Sequence, residues 1–250
     1  MNEQIDNDLE NKKLKIDVII PVYNEGANIE NNLDALQKGI DNADADFTVY
    51  IVYDFDEDNT VPIIENIKLK YNYPLILSKN NVRGVINAIK HGFKTSQGDF
   101  ALVTMADMSD DYEILTNLIE LAKQGNDVIC GSRYMQGGKL YGGPFFKQLL
   151  SRMAGLTMNW FTSIPTKDIT NSYKLYRKSL IEKLTIESIG GFEIGMEVTA
   201  KAYLMGYKVV ETPSRWWDRT EGTSKFKLFS WLPRYLKWYF YLIFNEKKSI

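Results

Sequence analysis

The chain has 250 residues, a length that suits one large α/β domain or two small ones. Hydrophobic residues make up 44% of it, which is enough for a full core, and the formal charge of −2 excludes a general field that attracts nucleic acid. The single cysteine, Cys130, excludes a disulfide framework and fits a reducing compartment, and the apolar run around it predicts a buried thiol.

The two ends of the chain differ in composition from the middle. Residues 1–14 are polar and charge-rich, and we expect a disordered lead-in there rather than a secretory signal. No run of about 18 apolar residues occurs, so the sequence predicts no membrane-spanning helix. Residues 226–250 form an aromatic and basic tail, which leaves 15–225 as the predicted domain.

The first half of the chain alternates predicted strands with predicted helices. The strands are 15–21, 47–53, 74–77, 100–105 and 127–131, and the helices are 28–40, 60–71, 84–96 and 112–123. This alternation predicts an α/β, Rossmann-like fold with a central, mostly parallel sheet flanked by helices. Ligands of such sheets bind beyond the carboxyl ends of the strands, so the polar residues there are the candidate site.

The second half of the chain departs from that alternation. Residues 145–162 have an amphipathic helical pattern, 172–176 and 208–212 are predicted strands, and 226–244 are strongly aromatic. A further helix is predicted at 192–205, and it places Glu193 and Glu197 one turn apart on the same face.

Carboxylates are dense after the second predicted strand, at Asp54, Asp56, Glu57 and Asp58. Such a group repels itself unless donors or positive charges lie near, and the N–H groups of a nucleobase would serve. A solvated acidic turn in which Asp58 caps the next helix explains the same residues. The residues alone leave both interpretations open.

A second acidic loop, residues 106–111, follows the fourth predicted strand. Mg²⁺ is often held by one or two carboxylates together with substrate phosphates, and it would neutralise charge on a departing diphosphate. Acids at a helix N-terminus are the alternative explanation. We predict that Asp107 is functional and that Asp110 or Asp111 caps the helix.

The basic candidates are Arg133, Arg219 and Lys225, whose side chains suit phosphate oxygens. The only histidine, His91, lies within a predicted helix, which argues against Ser-His or Cys-His catalysis. No glycine-rich dinucleotide fingerprint and no P-loop lysine pattern occurs, which excludes dehydrogenases and P-loop enzymes.

The segment Pro21-Val22-Tyr23-Asn24-Glu25 resembles the opening of the family 2 glycosyltransferases, which have the GT-A fold. The likeness is greatest to the polyprenyl-phosphate (dolichol-phosphate) sugar synthases. Further matching positions follow in the family's order over about residues 16–228: Arg83-Gly84, Ala106-Asp107, Gly131-Ser132-Arg133-Tyr134, Asp168-Ile169-Thr170, and Asp218-Arg219 with Gly222, Ser224 and Lys225.

The resemblance implies roles for individual residues. Those implied to bind the donor nucleotide are Pro21, Tyr23, Glu25, Val52, Asp54 and Ala106. Asp107 would hold a divalent cation, Mg²⁺ or Mn²⁺, while Arg133, Arg219 and Lys225 would meet donor and acceptor phosphates.

Two positions depart from the family's pattern. Tyr53 replaces the first of the usual paired acids after the second strand, and Met105 stands where the Asp-x-Asp metal motif has its first acid. A thioether is a poor ligand for Mg²⁺ or Mn²⁺. The cation would then be held by Asp107, the diphosphate and water, or Asp110 would substitute, or catalysis would be weakened.

The preferred function is inverting transfer of a sugar from a UDP- or GDP-linked donor to a lipid-linked phosphate. Aromatic and basic residues in 145–162 and 226–250 favour a peripheral position on the cytoplasmic face of a membrane. Packing of these helices on the sheet, or a homo-oligomer interface, is the alternative. No Ser, Cys or His nucleophile is placed for a covalent intermediate, which favours direct displacement.

Two other functions remain open at the level of sequence. A glycan hydroxyl acceptor would need a general base, for which Glu193 is the candidate, whereas a phosphate acceptor is already anionic. A nucleotide-sugar-binding protein without catalysis is the other, because Met105 depletes the metal motif. A nucleotidyltransferase is a third alternative, less favoured than the other two.

Overall fold

The structure is a computed structural model that describes residues 13–218 and 228–247, with side chains of the last stretch described from residue 231. Nearly all of the predicted lead-in, together with Arg219 and Lys225, lies outside the described residues. The strands are β1 (Leu14–Pro21), β2 (Ala45–Tyr53), β3 (Leu75–Lys79), β4 (Phe100–Val103), β5 (Val128–Ser132), β6 (Lys139–Tyr141), β7 (Lys174–Arg177), β8 (Val209–Pro213) and β9 (Arg215–Trp217). The α-helices are α1 (Asn28–Asp41), α2 (Thr60–Ile67), α3 (Val85–Thr95), α4 (Leu115–Lys123), α5 (Phe145–Thr162), α6 (Lys178–Ile181), α7 (Ile194–Leu204) and α8 (Leu228–Phe244), and a 3₁₀ turn at Tyr112–Ile114 precedes α4.

Seven strands form the central sheet in the order β3-β2-β1-β4-β7-β5-β8. Neighbouring strands are parallel except at β7, which runs antiparallel to both β4 and β5. The short strands β6 and β9 pair separately, in parallel. The predicted α/β fold with a mostly parallel sheet is confirmed.

The core consists of two apolar layers, one on each face of the sheet. Strand β1 contributes to both layers, because its consecutive β-branched residues Val18 and Ile19 point to opposite faces of the sheet and both are fully buried. Helix α1 buries its predicted apolar stripe against the first layer. At Gly39 this helix approaches the 3₁₀ turn so closely that a Cβ atom would lie 2.5 Å from the carbonyl oxygen of Tyr112.

Several element bounds differ from those predicted. Strand β4 ends at Val103, two residues before the predicted end, because the main-chain N–H of Met105 donates to the Asp110 carboxylate (3.0 Å). Helix α2 ends at Ile67 rather than at residue 71. Helix α7 begins at Ile194, which leaves Glu193 at the N-cap position.

Helices α5 and α8 pack against each other, and Tyr239 Oη donates to Thr157 Oγ1 (2.9 Å) across their contact. Helix α8 also buries Trp238 and Leu242 in the second apolar layer, so part of this helix belongs to the core. Among the described residues, no helix combines the length and the apolar character needed to cross a bilayer.

Candidate active site

A cleft of about 1610 Å³ opens beyond the carboxyl ends of β1 and β4. Of the residues predicted for the site, Tyr23, Glu25, Ala106 and Asp107 line it. The parallel strands bring the loops after β1 and β4 to one edge of the sheet, although about 80 residues separate them in the chain.

The loop after β4 is tied to the rest of the fold at several points. Ser109 O accepts from the Trp217 main-chain N–H (3.1 Å), and Asp110 forms a β-bridge with Trp216. Within the loop, Asp107 Oδ1 accepts from the Ser109 N–H (3.2 Å) and Met108 has a left-handed backbone, with φ of 61°. Asp107 is half-buried and reaches the cleft.

Of the two residues predicted as a possible helix cap, Asp110 is not the one that caps. Its Oδ2 accepts from Thr104 Oγ1 (2.8 Å) and from the Met105 N–H (3.0 Å), and its side chain is buried. Burial raises the pKa of Asp110 to about 7, and the nearby charge of Asp107 adds to the effect. Asp111 is the cap: its Oδ1 accepts from the Glu113 N–H (3.2 Å).

The pairing of Asp107 with Asp110 fits a divalent cation. A positive charge close to Asp110 would stabilise its ionised form against the effect of burial, and oxygen ligands suit Mg²⁺ and Mn²⁺. Within residues 13–218 and 228–247, no three His, Cys, Asp or Glu side chains converge as a metal site. A cation here would therefore need ligand oxygens in addition to Asp107.

Asp110 should make stability depend on pH. Its pKa is higher in the folded chain (about 7) than the ordinary value of 3.8, so its contribution is favourable at low pH and is lost as pH rises through 7. Between pH 5 and pH 8 without divalent cations, we expect wild type to lose roughly 2 to 3 kcal/mol of unfolding free energy relative to Asp110→Asn. The amide oxygen of Asn can still accept both hydrogen bonds.

Urea unfolding of both proteins in EDTA at the two pH values measures this difference, and added Mn²⁺ should reduce it. A difference between wild type and Asp110→Asn that stays constant from pH 5 to pH 8 would contradict the assignment.

The loop after β2 contacts Tyr23, although none of its residues lines the cleft. Asp54 Oδ2 accepts from the Gly84 N–H (2.7 Å) and its Oδ1 accepts from Asn80 Nδ2 (2.8 Å). The half-exposed Tyr23 ring contacts Phe55 edge to face at 5.5 Å, and the Arg83 guanidinium lies 5.3 Å from the Phe55 ring centre. These aromatic faces beside polar groups can receive a planar base.

Pro21 and Val52 lie paired at the ends of β1 and β2, and both are buried. The carbonyl oxygen of Val52 accepts from the Val22 N–H (2.9 Å). Neither side chain lines the cleft, and Tyr23 is the member of the predicted nucleoside set that presents a large exposed surface.

Arg133 forms a buried ion pair with Asp168, which the sequence did not predict. Its Nε and Nη2 donate to the two oxygens of Asp168 (2.7 and 2.8 Å), and its main-chain N–H donates to Oδ2 (2.9 Å). Burial disfavours the charged guanidinium, yet the Asp168 carboxylate keeps the pKa of Arg133 above its ordinary value. Asp168 stands in one of the matched motifs, but 35 positions separate the partners and no local signal pairs them.

Glu193, the candidate base, is buried and does not line the cleft that the described residues form. Its Oε1 accepts from the Gly190 N–H (3.0 Å), whereas its Oε2 has no hydrogen-bond partner among the described residues. Trp231 of α8 lies over the same glycine-rich loop: a Cβ on Gly191 would be 2.9 Å from Glu193 Oε2 and 3.0 Å from the indole. Glu193 is thus set under α8 rather than beside Asp107.

The sequence profile of the family described as "Glycosyl transferase family 2" matches residues 17–185. That match spans both acidic loops and the Arg133–Asp168 pair. The chain belongs to glycosyltransferase family 2. The resemblance found in the motifs after β1, β4 and β5 is therefore confirmed.

Two curated relatives agree with the family. The chain is 34% identical over 237 residues to a dolichol-phosphate mannosyltransferase of Pyrococcus furiosus, covering 90% of this chain and 64% of the relative. It is 28% identical over 214 residues to a polyprenol monophosphomannose synthase of Mycolicibacterium smegmatis, covering 83% and 79%. The chain thus spans a little under two thirds of the length of the Pyrococcus relative.

Among solved structures, a mannosyltransferase from Pyrobaculum calidifontis in complex with GDP-Man and Mn²⁺ superposes with a TM-score of 0.65 at 17% identity, covering 96% of this chain and 67% of that one. Glucosyl-3-phosphoglycerate synthase from Mycobacterium tuberculosis, with Mn²⁺, uridine-diphosphate and glucosyl-3-phosphoglycerate, gives 0.68 at 11% identity, covering 98% and 86%. At these identities the likeness shows a shared GT-A-like fold.

Proposed function

We propose that this protein transfers a sugar from a nucleotide-sugar donor to a polyprenyl-phosphate acceptor, with inversion at the anomeric carbon. The observation that carries the proposal is the cleft in which the Asp107 loop meets the Tyr23 loop at the carboxyl edge of the sheet. Relatives named as dolichol- and polyprenol-phosphate mannose enzymes support the acceptor class and make mannose the first sugar to test.

The donor's base would lie on Tyr23 and Phe55, with Asp54 holding the Gly84 turn beside it. The diphosphate would then extend from this loop toward Asp107. Mg²⁺ or Mn²⁺ bound at Asp107 would neutralise charge that develops on the departing diphosphate. Asp110, hydrogen-bonded behind the loop, would keep its main chain in place while the cation is bound.

The acceptor phosphate would attack without a general base because it is already anionic. The phosphate must instead be oriented toward the anomeric carbon and its charge must be compensated, and we assign both roles to Arg133, Arg219 and Lys225. Asp168 fixes the direction of the Arg133 fork. The burial of Glu193 away from the cleft supports this route over attack by a glycan hydroxyl.

Helices α5 and α8 would bring the enzyme to its lipid substrate. Both helices expose large apolar side chains: Phe145, Phe146, Trp160 and Phe161 on α5, and Phe240 and Phe244 on α8. An exposed apolar surface of this kind, flanked by basic residues such as Arg152 and Lys237, suits peripheral contact with an anionic membrane. We propose the cytoplasmic leaflet as its place.

Replacing Trp160 and Phe161 together by Ser should lower the partition of the protein onto phosphatidylglycerol vesicles by about 10-fold or more, because each aromatic loses apolar contact with the bilayer. Vesicle co-sedimentation measures the change. Leu69→Ser is the matched control, since Leu69 is 92% exposed but lies after α2, away from both helices. Equal partition of the double variant and wild type, with dimers lost in the variant, would make this surface a subunit interface.

The function is tested by incubating the protein with GDP-mannose, UDP-glucose or UDP-N-acetylglucosamine and a polyprenyl phosphate. We expect a lipid product heavier by one hexose or N-acetylhexosamine in mass spectrometry, and NMR of its anomeric proton should show inversion. Failure to modify the lipid phosphate while a soluble glycan is extended would refute the proposed acceptor. A product that keeps the donor's configuration would refute direct displacement.

A further inference from the structure

Lys174 is a lysine that the fold buries completely. It lies on β7 within the central sheet, where its register partners are Val103 of β4 and Cys130 of β5. Lysine is rarely buried in this way unless an anion pairs with it, because removing an ammonium group from water is costly. A buried ammonium group in this place therefore points to a role beyond packing.

The Lys174 ammonium group binds two main-chain carbonyl groups. Its Nζ donates to Ile169 O (2.7 Å) and to Gly195 O (3.3 Å), which lies near the start of α7. Ile169 follows Asp168 directly in the chain, so the first bond holds the residue next to the partner of Arg133. Neither bond neutralises the charge, since both acceptors are carbonyl groups. Burial accordingly lowers the pKa of Lys174.

Charged groups of alternating sign connect Lys174 with the cleft. Lys174 holds the loop of Asp168, and Asp168 in turn binds the Arg133 guanidinium through both of its oxygens. Arg133 lies near enough to Asp110, which lines the cleft, for the two charges to act on each other. The Arg133 side chain is 12% exposed and the other three are buried. The row therefore leads from the core to the cleft wall.

Two cations share the carboxylate of Asp168. Without Lys174 this carboxylate would neutralise Arg133 alone, since the Nε, the Nη2 and the main-chain N–H of Arg133 all donate to it. With Lys174 charged, the group carries two positive charges against one negative charge, and Nη1 of Arg133 takes part in none of these bonds. Asp110 opposes this potential when it is ionised, and a cation at Asp107 would offset Asp110. A phosphate near Arg133 would then be attracted, because charges in the interior are screened little by water or salt.

We propose that Lys174 is a positioning residue for the acceptor phosphate: it fixes the Asp168 loop and leaves Arg133 with positive charge for that phosphate. Lys174 does not line the cleft, so it acts through Arg133 rather than on the substrate. This inference rests on the proposed function and deepens the phosphate-binding role of Arg133. Packing alone would be served by an apolar side chain of similar length, which avoids the burial of a charge.

Isothermal titration calorimetry of the full chain with geranyl phosphate, a short prenyl phosphate that stays in solution, tests the proposal. Lys174→Gln keeps a hydrogen-bond donor but has no charge, and we expect it to weaken binding by about 10-fold. Lys174→Met, which has neither, should weaken binding at least as much. Lys174→Arg should restore most of the affinity, because the guanidinium keeps the charge. Circular dichroism establishes that each variant is folded.

Lys178→Met is the matched control. The Lys178 side chain is also largely buried (15% exposed), and its Nζ also donates to a main-chain carbonyl group, that of Phe93. Lys178 follows the C-terminal end of β7, and because β7 is antiparallel to its neighbours, this end lies at the edge of the sheet opposite the cleft. Its replacement should leave the affinity for geranyl phosphate within about 2-fold of wild type.

The proposal is overturned if wild type does not bind geranyl phosphate, or if Lys174→Gln binds it as tightly as wild type does. It is also overturned if the loss of affinity is confined to UDP and GDP, because the charge would then act on the donor. Wild type is assayed in parallel for transfer to polyprenyl phosphate. Binding of geranyl phosphate without that transfer, with the expected loss in Lys174→Gln, would refute the proposed function and leave the role of Lys174 standing.

Discussion

Asp107→Asn is expected to lower the rate of sugar transfer by about 100-fold or more while the protein remains folded. Asn keeps the size of the side chain and its oxygen can still accept from the Ser109 N–H. It lacks the charge that would hold a divalent cation against the diphosphate. Initial rates at saturating donor over a Mn²⁺ titration, with circular dichroism of both proteins, measure the effect.

Asp46→Asn is the matched control, because Asp46 is exposed and lies at the start of β2, at the other end of the sheet. Met105→Asp provides a second comparison, since it restores the acid that the family's metal motif has at that position. We expect it to preserve or raise the affinity for the cation. Full transfer by Asp107→Asn, or by wild type in excess EDTA, would remove the metal from the mechanism.

Asp168→Ala is expected to lower the free energy of unfolding by about 3 to 5 kcal/mol, because it leaves the Arg133 guanidinium buried without its counter-charge. The Asp168 side chain is fully buried and that of Arg133 is 12% exposed. Loss of the pair should also reduce transfer, since the proposed phosphate-binding fork would no longer have a fixed direction. Urea unfolding and transfer assays on the same samples measure both effects.

Asp46→Ala serves as the control for this stability change, because its ion pair with Lys13 is exposed to solvent and should contribute little to stability. Replacing both partners, as Arg133→Met with Asp168→Leu, should recover part of the stability without recovering transfer. Loss of less stability in Asp168→Ala than in Asp46→Ala would mean that the buried pair has no structural role.

Helical periodicity was not enough to predict the role of Glu193, the candidate general base. Helical spacing correctly placed Glu193 and Glu197 on one side of a helix, and both are buried. Glu197 accepts from Lys201 Nζ (2.7 Å) and from the main-chain N–H of Ser188 (2.7 Å), so it holds a loop. The side of the helix was predictable, but its neighbours were not.

In the two acidic loops, too, the sequence predicts the position of the residues but not their contacts. Their positions after β2 and β4 follow from the order of strands and from the rule that ligands bind at the carboxyl edge of a parallel sheet. Asp107 and Asp110 lie three residues apart in one loop and both line the cleft, but Asp107 is half-buried whereas Asp110 is buried and accepts a hydrogen bond from Thr104. Hydrogen-bond partners decide which of the two carboxylates is buried, and these partners cannot be read from the composition of the loop.

The sequence by itself determined the fold class, the order of the main strands and helices, the family, and the two acidic loops as the candidate site. It could do so because burial imposes local periods on strands and helices and because the family's motifs are short, continuous stretches. The tertiary structure alone decided the Arg133–Asp168 pair and the burial of Asp110 and Glu193. Each depends on groups that are distant in the chain, and local sequence carries no record of such contacts.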